Sequence, residues 1–164
     1  MKNQLDQLMY DRGLDAVYVS GRVKHNPALT YLVDGAGLTH AEFVKKRNEP
    51  PVLIVGAMER EEAQAAGLPI VLNNRYNYPQ LLKEHDGDRL KATVAYVRRV
   101  FEDQQIEGRV GCYGLRDQGT AYALLTALDA TLPNVEIVGE MPPTLISAAR
   151  ATKSTAEVDR IREV

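Results

Sequence analysis

The chain has 164 residues, of which 45% are hydrophobic and 26% are charged, and its net charge is −2. This composition is typical of a globular protein and excludes a disordered or fibrous chain, while the length fits one domain. No basic segment carries interleaved aromatic residues, which argues against a nucleic-acid partner. Because no apolar stretch can cross a bilayer and the amino terminus lacks a secretory apolar region, we expect a cytoplasmic protein with no membrane partner.

The first half of the chain carries short helix and strand patterns in alternation. Leu5, Leu8 and Met9 recur at helical spacing, and Gly13 is typical of a helix end. β-Branched and aromatic runs then predict strands that follow one another as a meander. The predicted elements are a helix over 3–12, strands over 15–20, 29–33, 41–45 and 52–55, a helix over 58–66 and a strand over 69–72.

The second half predicts a strand, a helix and a strand in the order of a right-handed crossover. Asp88 can cap the long helix that precedes this unit, and Gly108 is expected to end that helix. Pro142 and Pro143 are expected to pre-set the first turn of a later helix. The predicted elements are a loop over 73–78, a helix over 89–107, a strand over 109–113, a helix over 117–130, a strand over 135–138 and a helix around 145–149.

The last residues predict the beginning of a second unit. Ser154 and Glu157 have the spacing of a capping box, which specifies the start of a new helix. An apolar stripe then continues to Val164 with nothing left in the chain to cover it. We therefore expect a domain over 1–151, followed over 152–164 by a linker and the truncated first helix of a further domain.

This junction resembles one found in a known family. The residues that carry the resemblance are Arg150, Lys153, Ser154, Glu157 and Ile161. Their Arg-x-x-Lys-Ser-x-x-Glu-like pattern resembles the domain junction of the creatinase, prolidase and Xaa-Pro aminopeptidase family. Earlier segments are similar, in the same order, to that family's amino-terminal domain: Leu14 to Val17, Asn26 ahead of Tyr31 and Leu32, Val52 to Val55, Glu61 to Ala63 and the strand at Val110.

The resemblance implies a ribonuclease-H-like α/β domain, a mixed β-sheet flanked by helices, which precedes a "pita-bread" catalytic domain. It also implies a metal-dependent Xaa-Pro peptidase, in which two Asp, one His and two Glu of the second domain hold a pair of divalent metals, manganese, cobalt or zinc. None of those motifs occurs in this chain, and His25, His40 and His85 lack ligand spacing. We therefore expect no catalytic or metal-binding residue in this chain, and a metallopeptidase in the longer protein.

The resemblance further implies a role in dimerisation and substrate gating. In the family, a loop of the first domain can approach the active site of a neighbouring subunit, and the matching loop here runs from Asp34 to His40. We expect Asp34 and His40 to contact the charged end of a peptide substrate in a homodimer. The alternative is that His40 is merely an exposed residue of the turn. Two other functions stay open: a stand-alone α/β protein-binding scaffold, and the amino-terminal domain of a creatinase-like amidinohydrolase.

Two clusters have simpler interpretations than a site. Glu59, Glu61 and Glu62 could hold a metal or act as acid and base, but carboxylates are favoured at the start of a helix, so we interpret them as a solvated face. Tyr76 and Tyr78 suit either a protein contact or a half-buried packing position, and packing is favoured.

Overall fold

A six-stranded sheet forms the centre of the fold in a computed structural model that describes residues 3–151. In chain order, the strands are β1 (Ala16–Arg22), β2 (His40–Lys46), β3 (Val52–Val55), β4 (Ile70–Leu72), β5 (Gly108–Tyr113) and β6 (Val135–Val138). Their spatial order is β4-β3-β2-β1-β5-β6. Strand β2 is antiparallel to both of its neighbours, whereas the other adjacent pairs are parallel. The expected mixed sheet is confirmed.

Helices cover both faces of the sheet. They are α1 (Asn3–Asp11), α2 (Pro27–Leu32), α3 (Arg60–Gln64), α4 (Tyr78–Glu84), α5 (Arg89–Asp103), α6 (Gln118–Thr131) and α7 (Leu145–Ala151), with 3₁₀ turns at Ala57–Glu59 and Asn73–Tyr76. Helices α1, α2, α3 and α7 pack on what we call the first face. Helices α5 and α6 pack on the second face, and α4 lies against α5. The α/β fold with flanking helices is therefore confirmed.

Each central strand contributes apolar side chains to both faces because successive side chains point in opposite directions. In β1, Val17 and Val19 belong to the core of the first face, whereas Ala16 and Tyr18 belong to the core of the second. All four of these residues are buried. This arrangement explains why β1 is an almost continuous apolar run rather than an alternating one.

The strand predicted over 29–33 is wrong, because this segment forms helix α2. The Asn26 side chain accepts a hydrogen bond from the Leu29 backbone N–H at 3.3 Å, and Pro27 occupies the first helical turn. An Asn cap followed by proline pre-organises a helix start, and here it outweighs the strand propensity of Thr30 and Tyr31. Strands β1, β2 and β3 are nevertheless consecutive antiparallel neighbours, as the predicted meander requires.

Several predicted boundaries also differ from the observed elements. The expected loop over 73–78 contains a 3₁₀ turn, and helix α4 after it was not predicted. Asn77 adopts a left-handed conformation and caps α4 through its side chain, which its loop-like sequence did not reveal. Asp88 caps α5 as predicted, accepting from the Lys91 backbone N–H at 3.1 Å. That helix ends at Asp103, and Gly108 begins β5 instead of closing the helix.

The junction segment, residues 152–164, follows the part of the chain that the structure describes. The linker and truncated helix expected over 152–164, with the Ser154 capping box, lie outside the described residues, so the proposed division at 151 remains a prediction. Between residues 3 and 151, none of the helices combines the length and apolar character that a bilayer crossing requires.

Candidate functional site

A cavity of about 580 Å³ lies on the second face, at the edge of the sheet where its parallel strands end. Strands β1 and β4 finish at this edge, and β2 begins there because it runs in the opposite direction. Helices α4, α5 and α6 form the opposite wall. The carboxyl edge of parallel strands is the usual location of ligand crevices in α/β folds. We call this space the edge cavity.

Glu42 lies at the sheet side of the edge cavity. It belongs to β2, directly opposite Ser20 of β1, and is 5% exposed. The Tyr18 hydroxyl donates to Glu42 Oε2 at 2.6 Å, and the Tyr96 hydroxyl donates to Glu42 Oε1 at 2.6 Å. Both oxygens of a buried carboxyl group are therefore held by phenols from different elements, β1 and α5.

The electrostatics of this group follow from burial. Desolvation raises the pKa of the Glu42 carboxyl, while the two tyrosine hydrogen bonds oppose that rise. O–H···O distances of 2.6 Å are typical of bonds to an ionised carboxylate. Burial, followed by the charge and hydrogen bond of Glu42, raises the pKa of both Tyr18 and Tyr96. Both phenols therefore keep their protons at neutral pH and act as donors.

Aromatic rings surround Tyr96. Tyr76 and Tyr78 contact its ring edge-to-face, with centroid distances of 5.6 Å and 6.0 Å. Tyr76 is buried, and its hydroxyl donates to Asp103 Oδ2 at 2.9 Å. The packing interpretation of Tyr76 and Tyr78 is confirmed, and the same packing fixes the ring that holds Glu42.

The backbone at the end of β5 packs closely against β1 next to the cavity. Gly114 follows β5 with a φ of +91°, and a Cβ atom there would overlap the carbonyl oxygen of Ser20. The Asn26 amide also donates to the Gly114 carbonyl oxygen at 3.1 Å. Glycine is required for this close approach. Leu115, the residue after this close approach, lines the cavity.

The structure separates the two predicted gating residues. His40 begins β2 and lines the edge cavity, where partial burial lowers the pKa of its imidazole. Asp34 is an exposed residue with a φ of +54° after α2, and it is not among the residues that line this cavity. Only His40 is thus brought to the cavity, and a gating role for either residue stays a prediction.

The three glutamates, Glu59, Glu61 and Glu62, lie at the start of helix α3. Glu61 and Glu62 are exposed in the first turn of α3, as the solvated-face interpretation expects. Glu59 differs because its carboxylate accepts a hydrogen bond from the Thr39 backbone N–H, which joins α3 to the residue before β2. Within residues 3–151, no three His, Cys, Asp or Glu side chains are grouped so that they could hold a metal ion. The described donor set therefore does not fit a metal pair.

A second depression, of about 560 Å³, lies at the opposite end of α5. Its charged lining residues, Arg98, Glu102 and Glu107, are exposed, and Arg98 pairs with Glu102 along the helix at 2.7 Å. It holds no buried charged group of the described chain. The edge cavity is therefore the stronger candidate for a site, since it combines apolar walls with convergent polar groups.

Sequence reasoning missed the residues at the centre of the cavity, Tyr18, Glu42 and Tyr96. The available signal was a glutamate inside an apolar strand run, Ala41-Glu42-Phe43-Val44, together with an excess of tyrosine over other aromatic residues. A charged residue in a strand that is covered on both faces is rare without a specific partner. That signal indicates a buried carboxylate, but it does not identify which tyrosines reach it.

Solved structures of peptidases share this fold. The X-Pro aminopeptidase from Thermotoga maritima MSB8 matches 98% of this chain with a TM-score of 0.59 and 12% identity. The prolidase from Pyrococcus horikoshii OT3 matches 96% with a TM-score of 0.51 and 16% identity. The amino-terminal domain of an Xaa-Pro dipeptidase from Lactobacillus brevis matches 91% with a TM-score of 0.52 and 13% identity. The expected resemblance to the amino-terminal domain of these peptidases is confirmed as a likeness of fold.

The extent of these matches differs between whole enzymes and the isolated domain. The match covers 36% of the Pyrococcus prolidase and 38% of the Thermotoga aminopeptidase, so the chain spans little more than a third of their length. It covers 97% of the Lactobacillus domain. No protein-family model matches the sequence, and no curated protein is significantly similar to it.

Proposed function

We propose that this chain is the non-catalytic amino-terminal domain of a metal-dependent Xaa-Pro peptidase. The observation that carries the proposal is the fold match, which includes almost the whole of an isolated amino-terminal domain from an Xaa-Pro dipeptidase. The same fold occupies about a third of two longer enzymes, a prolidase and an X-Pro aminopeptidase. In this proposal, the hydrolytic centre belongs to a further domain of the longer protein.

The side chains of the described region support this division of labour. They lack a grouping of three metal-ligating residues between positions 3 and 151, whereas two-metal hydrolysis needs several such ligands around an activated water. We assign the divalent metal pair, manganese, cobalt or zinc, to the further domain. The present domain then contributes to a cytoplasmic homodimer and limits access of peptide substrate, with Asp34 and His40 as the proposed contacts.

A peptidase assay tests the first part of the proposal. The purified 164-residue chain, supplied with Mn²⁺, Co²⁺ or Zn²⁺, is expected to give no turnover of an Xaa-Pro dipeptide beyond a buffer control. Turnover that follows the chain through purification and disappears with a chelator contradicts the proposal. Light scattering after size exclusion tests the dimer separately, and a monomer contradicts that part alone.

The coding sequence after Val164 tests the second part. The proposal requires a longer reading frame that encodes the set of two Asp, one His and two Glu expected for the metal pair. A frame without that set supports the stand-alone scaffold instead. A complete metal set in a protein that hydrolyses creatine but no Xaa-Pro peptide supports the creatinase-like alternative.

A further inference from the structure

We propose that the edge cavity binds an organic ammonium ion, a protonated primary amine attached to an apolar body, with Glu42 as its counter-ion. This inference does not depend on the proposed peptidase function, because it is drawn from the cavity alone. It assigns a small-molecule site to this domain. Three steps lead from the cavity lining to this ligand: the unbalanced charge of Glu42, the aromatic walls and the exclusion of other ligand classes.

The first step is the unbalanced charge of Glu42. Its carboxylate is buried, and its two partners, Tyr18 and Tyr96, are neutral hydroxyl groups. No Lys or Arg of the described chain forms an ion pair with it. A buried charge without an opposite charge is costly, and a carboxylate has about four acceptor positions, of which two are used here. A bound ammonium group would supply both the missing charge and further donors.

The second step is the aromatic and apolar lining. Tyr18, Tyr78 and Tyr96 all line the cavity, and the negative faces of such rings attract cations within about 6 Å of their centroids. Pro79, Val97 and Leu124 contribute apolar surface from α4, α5 and α6. The charged group of the ligand would therefore lie near Glu42 and the rings, and its apolar body would lie against the helices.

The third step is the exclusion of other ligand classes. Among residues 3–151, no Lys or Arg lines the cavity, and His40 is the one basic side chain that does. Burial lowers the pKa of its imidazole, which therefore favours its neutral form at neutral pH. An anion would therefore meet Glu42 without compensation. A hard metal cation such as Mg²⁺ or Ca²⁺ needs about six oxygen ligands. Glu42 is the one carboxylate that the described residues bring to this lining, and each of its oxygens already accepts a hydrogen bond from a tyrosine. The volume of about 580 Å³ is within the usual range for a small-molecule pocket.

Calorimetric titration of the full chain tests this proposal with three probes that share a phenylethyl group and differ in charge. Phenethylammonium carries the positive charge, 2-phenylethanol is neutral and 3-phenylpropanoate is negative at about pH 7. We expect phenethylammonium to bind roughly tenfold or more tightly than either of the other probes, because only it forms a charge-assisted bond to Glu42. Equal binding of the three probes, or no binding of the ammonium probe, overturns the proposal.

Two glutamate-to-glutamine variants locate the site. Glu42→Gln keeps the side-chain shape and removes the charge, and we expect it to weaken phenethylammonium binding roughly tenfold or more. Glu136→Gln is the matched control, because Glu136 is exposed on β6 and pairs with Arg109 away from the cavity. An equal loss in both variants, or no loss in Glu42→Gln, overturns the assignment to the edge cavity.

Two further measurements keep the test decisive if Glu42→Gln is unfolded by circular dichroism. Amide chemical shifts of the unaltered chain, recorded during titration with phenethylammonium, are expected to change around Ser20, Glu42 and Tyr96. Changes that cluster at the opposite depression near Glu107 contradict the proposal. Mg²⁺ or K⁺ that displaces the ammonium probe in a stoichiometric manner also contradicts it, since such a site would be one for inorganic cations.

Discussion

Two buried charges on β2 are balanced in different ways on the two faces of the sheet. Lys45 points to the first face, is 2% exposed and forms an ion pair with Asp6 of α1. Its ammonium group also donates to the Lys46 carbonyl oxygen at 2.9 Å. Glu42, three residues earlier and on the second face, is 5% exposed and is held by two tyrosine hydroxyls. Within the described part of the chain, the Lys45 ammonium meets an opposite charge and the Glu42 carboxylate does not.

The difference teaches how a sheet can combine a structural face with a binding face. On the first face, α1 brings the counter-ion with its own side chain, so the charge is neutralised whenever the domain is folded. On the second face, α5 brings a neutral phenol, and a cavity remains beside the carboxylate. A buried charge that is paired within the chain is typical of a structural contact, whereas one that lacks a charged partner beside a cavity is a candidate for a binding site.

The largest expected effect comes from removing the counter-ion on the first face. Asp6→Ala leaves the Lys45 ammonium buried without its partner, and we expect the free energy of unfolding to fall by about 3 kcal/mol. The estimate takes the lower end of the usual range because the Asp6 side chain is 32% exposed. Urea denaturation followed by circular dichroism measures the change.

The neighbouring surface pair provides the control for this variant. Glu49→Ala removes the partner of Lys46, and this pair is considerably more exposed, so its loss should change the free energy of unfolding by less than about 1 kcal/mol. Similar losses in Asp6→Ala and Glu49→Ala would show that Lys45 does not depend on its counter-ion, which removes the distinction between the two faces.

A smaller effect is expected from removing one phenol on the second face. Tyr96→Phe keeps the ring but deletes the donor to Glu42 Oε1, and we expect the free energy of unfolding to fall by about 2 kcal/mol, as for a hydrogen bond to a charged group. Tyr78→Phe is the matched control, since the Tyr78 hydroxyl lies 3.5 Å from a neutral group, Thr93 Oγ1. Equal effects in the two variants would contradict an ionised Glu42.

The smallest expected effect is a pH dependence that belongs to Glu42. Burial raises the pKa of this carboxyl above its ordinary value of 4.5, so the folded protein retains a proton that the unfolded chain has lost. Stability contributed at this position is therefore highest at low pH and falls as pH rises from the unfolded pKa through the folded pKa. Urea denaturation across this window should show that slope in the unaltered chain and lose it in Glu42→Gln. A slope of opposite sign would mean that the tyrosine bonds outweigh desolvation.

Local signals were sufficient for most of the sheet. Strand β6 matches its prediction at both ends, and β2 and β5 extend theirs by one or two residues, because β-branched runs bounded by polar residues define them well. The sequence pattern predicts a strand where α2 forms, because Thr30 and Tyr31 favour strands. The helix start is nevertheless specified by Asn26 and Pro27. Helix α4 is not predicted, because the sequence around its cap, Asn77, is typical of a loop.

The candidate site was less accessible to sequence reasoning because it is assembled from distant segments. Glu42 and Tyr96 are 54 residues apart, and no local spacing relates them. The gating prediction selected His40 as a polar residue near a glycine-rich turn, and the structure places it beside Glu42 in the same cavity. Whether Glu42 is buried depends on where α5 packs, which is a property of the tertiary structure rather than of β2.

The close approach of the Gly114 backbone to Ser20 makes the position of one part of the cavity wall, Leu115, depend on the backbone. Any side chain at position 114 would push the segment that connects β5 to α6 away from Ser20. Leu115 would move with that segment. A substitution at position 114 would therefore reshape the cavity wall without changing any of the side chains that line it. A domain of this fold with another residue at this position should consequently lose the close approach and accept amines of a different size, with Glu42 in place as the attracting carboxylate.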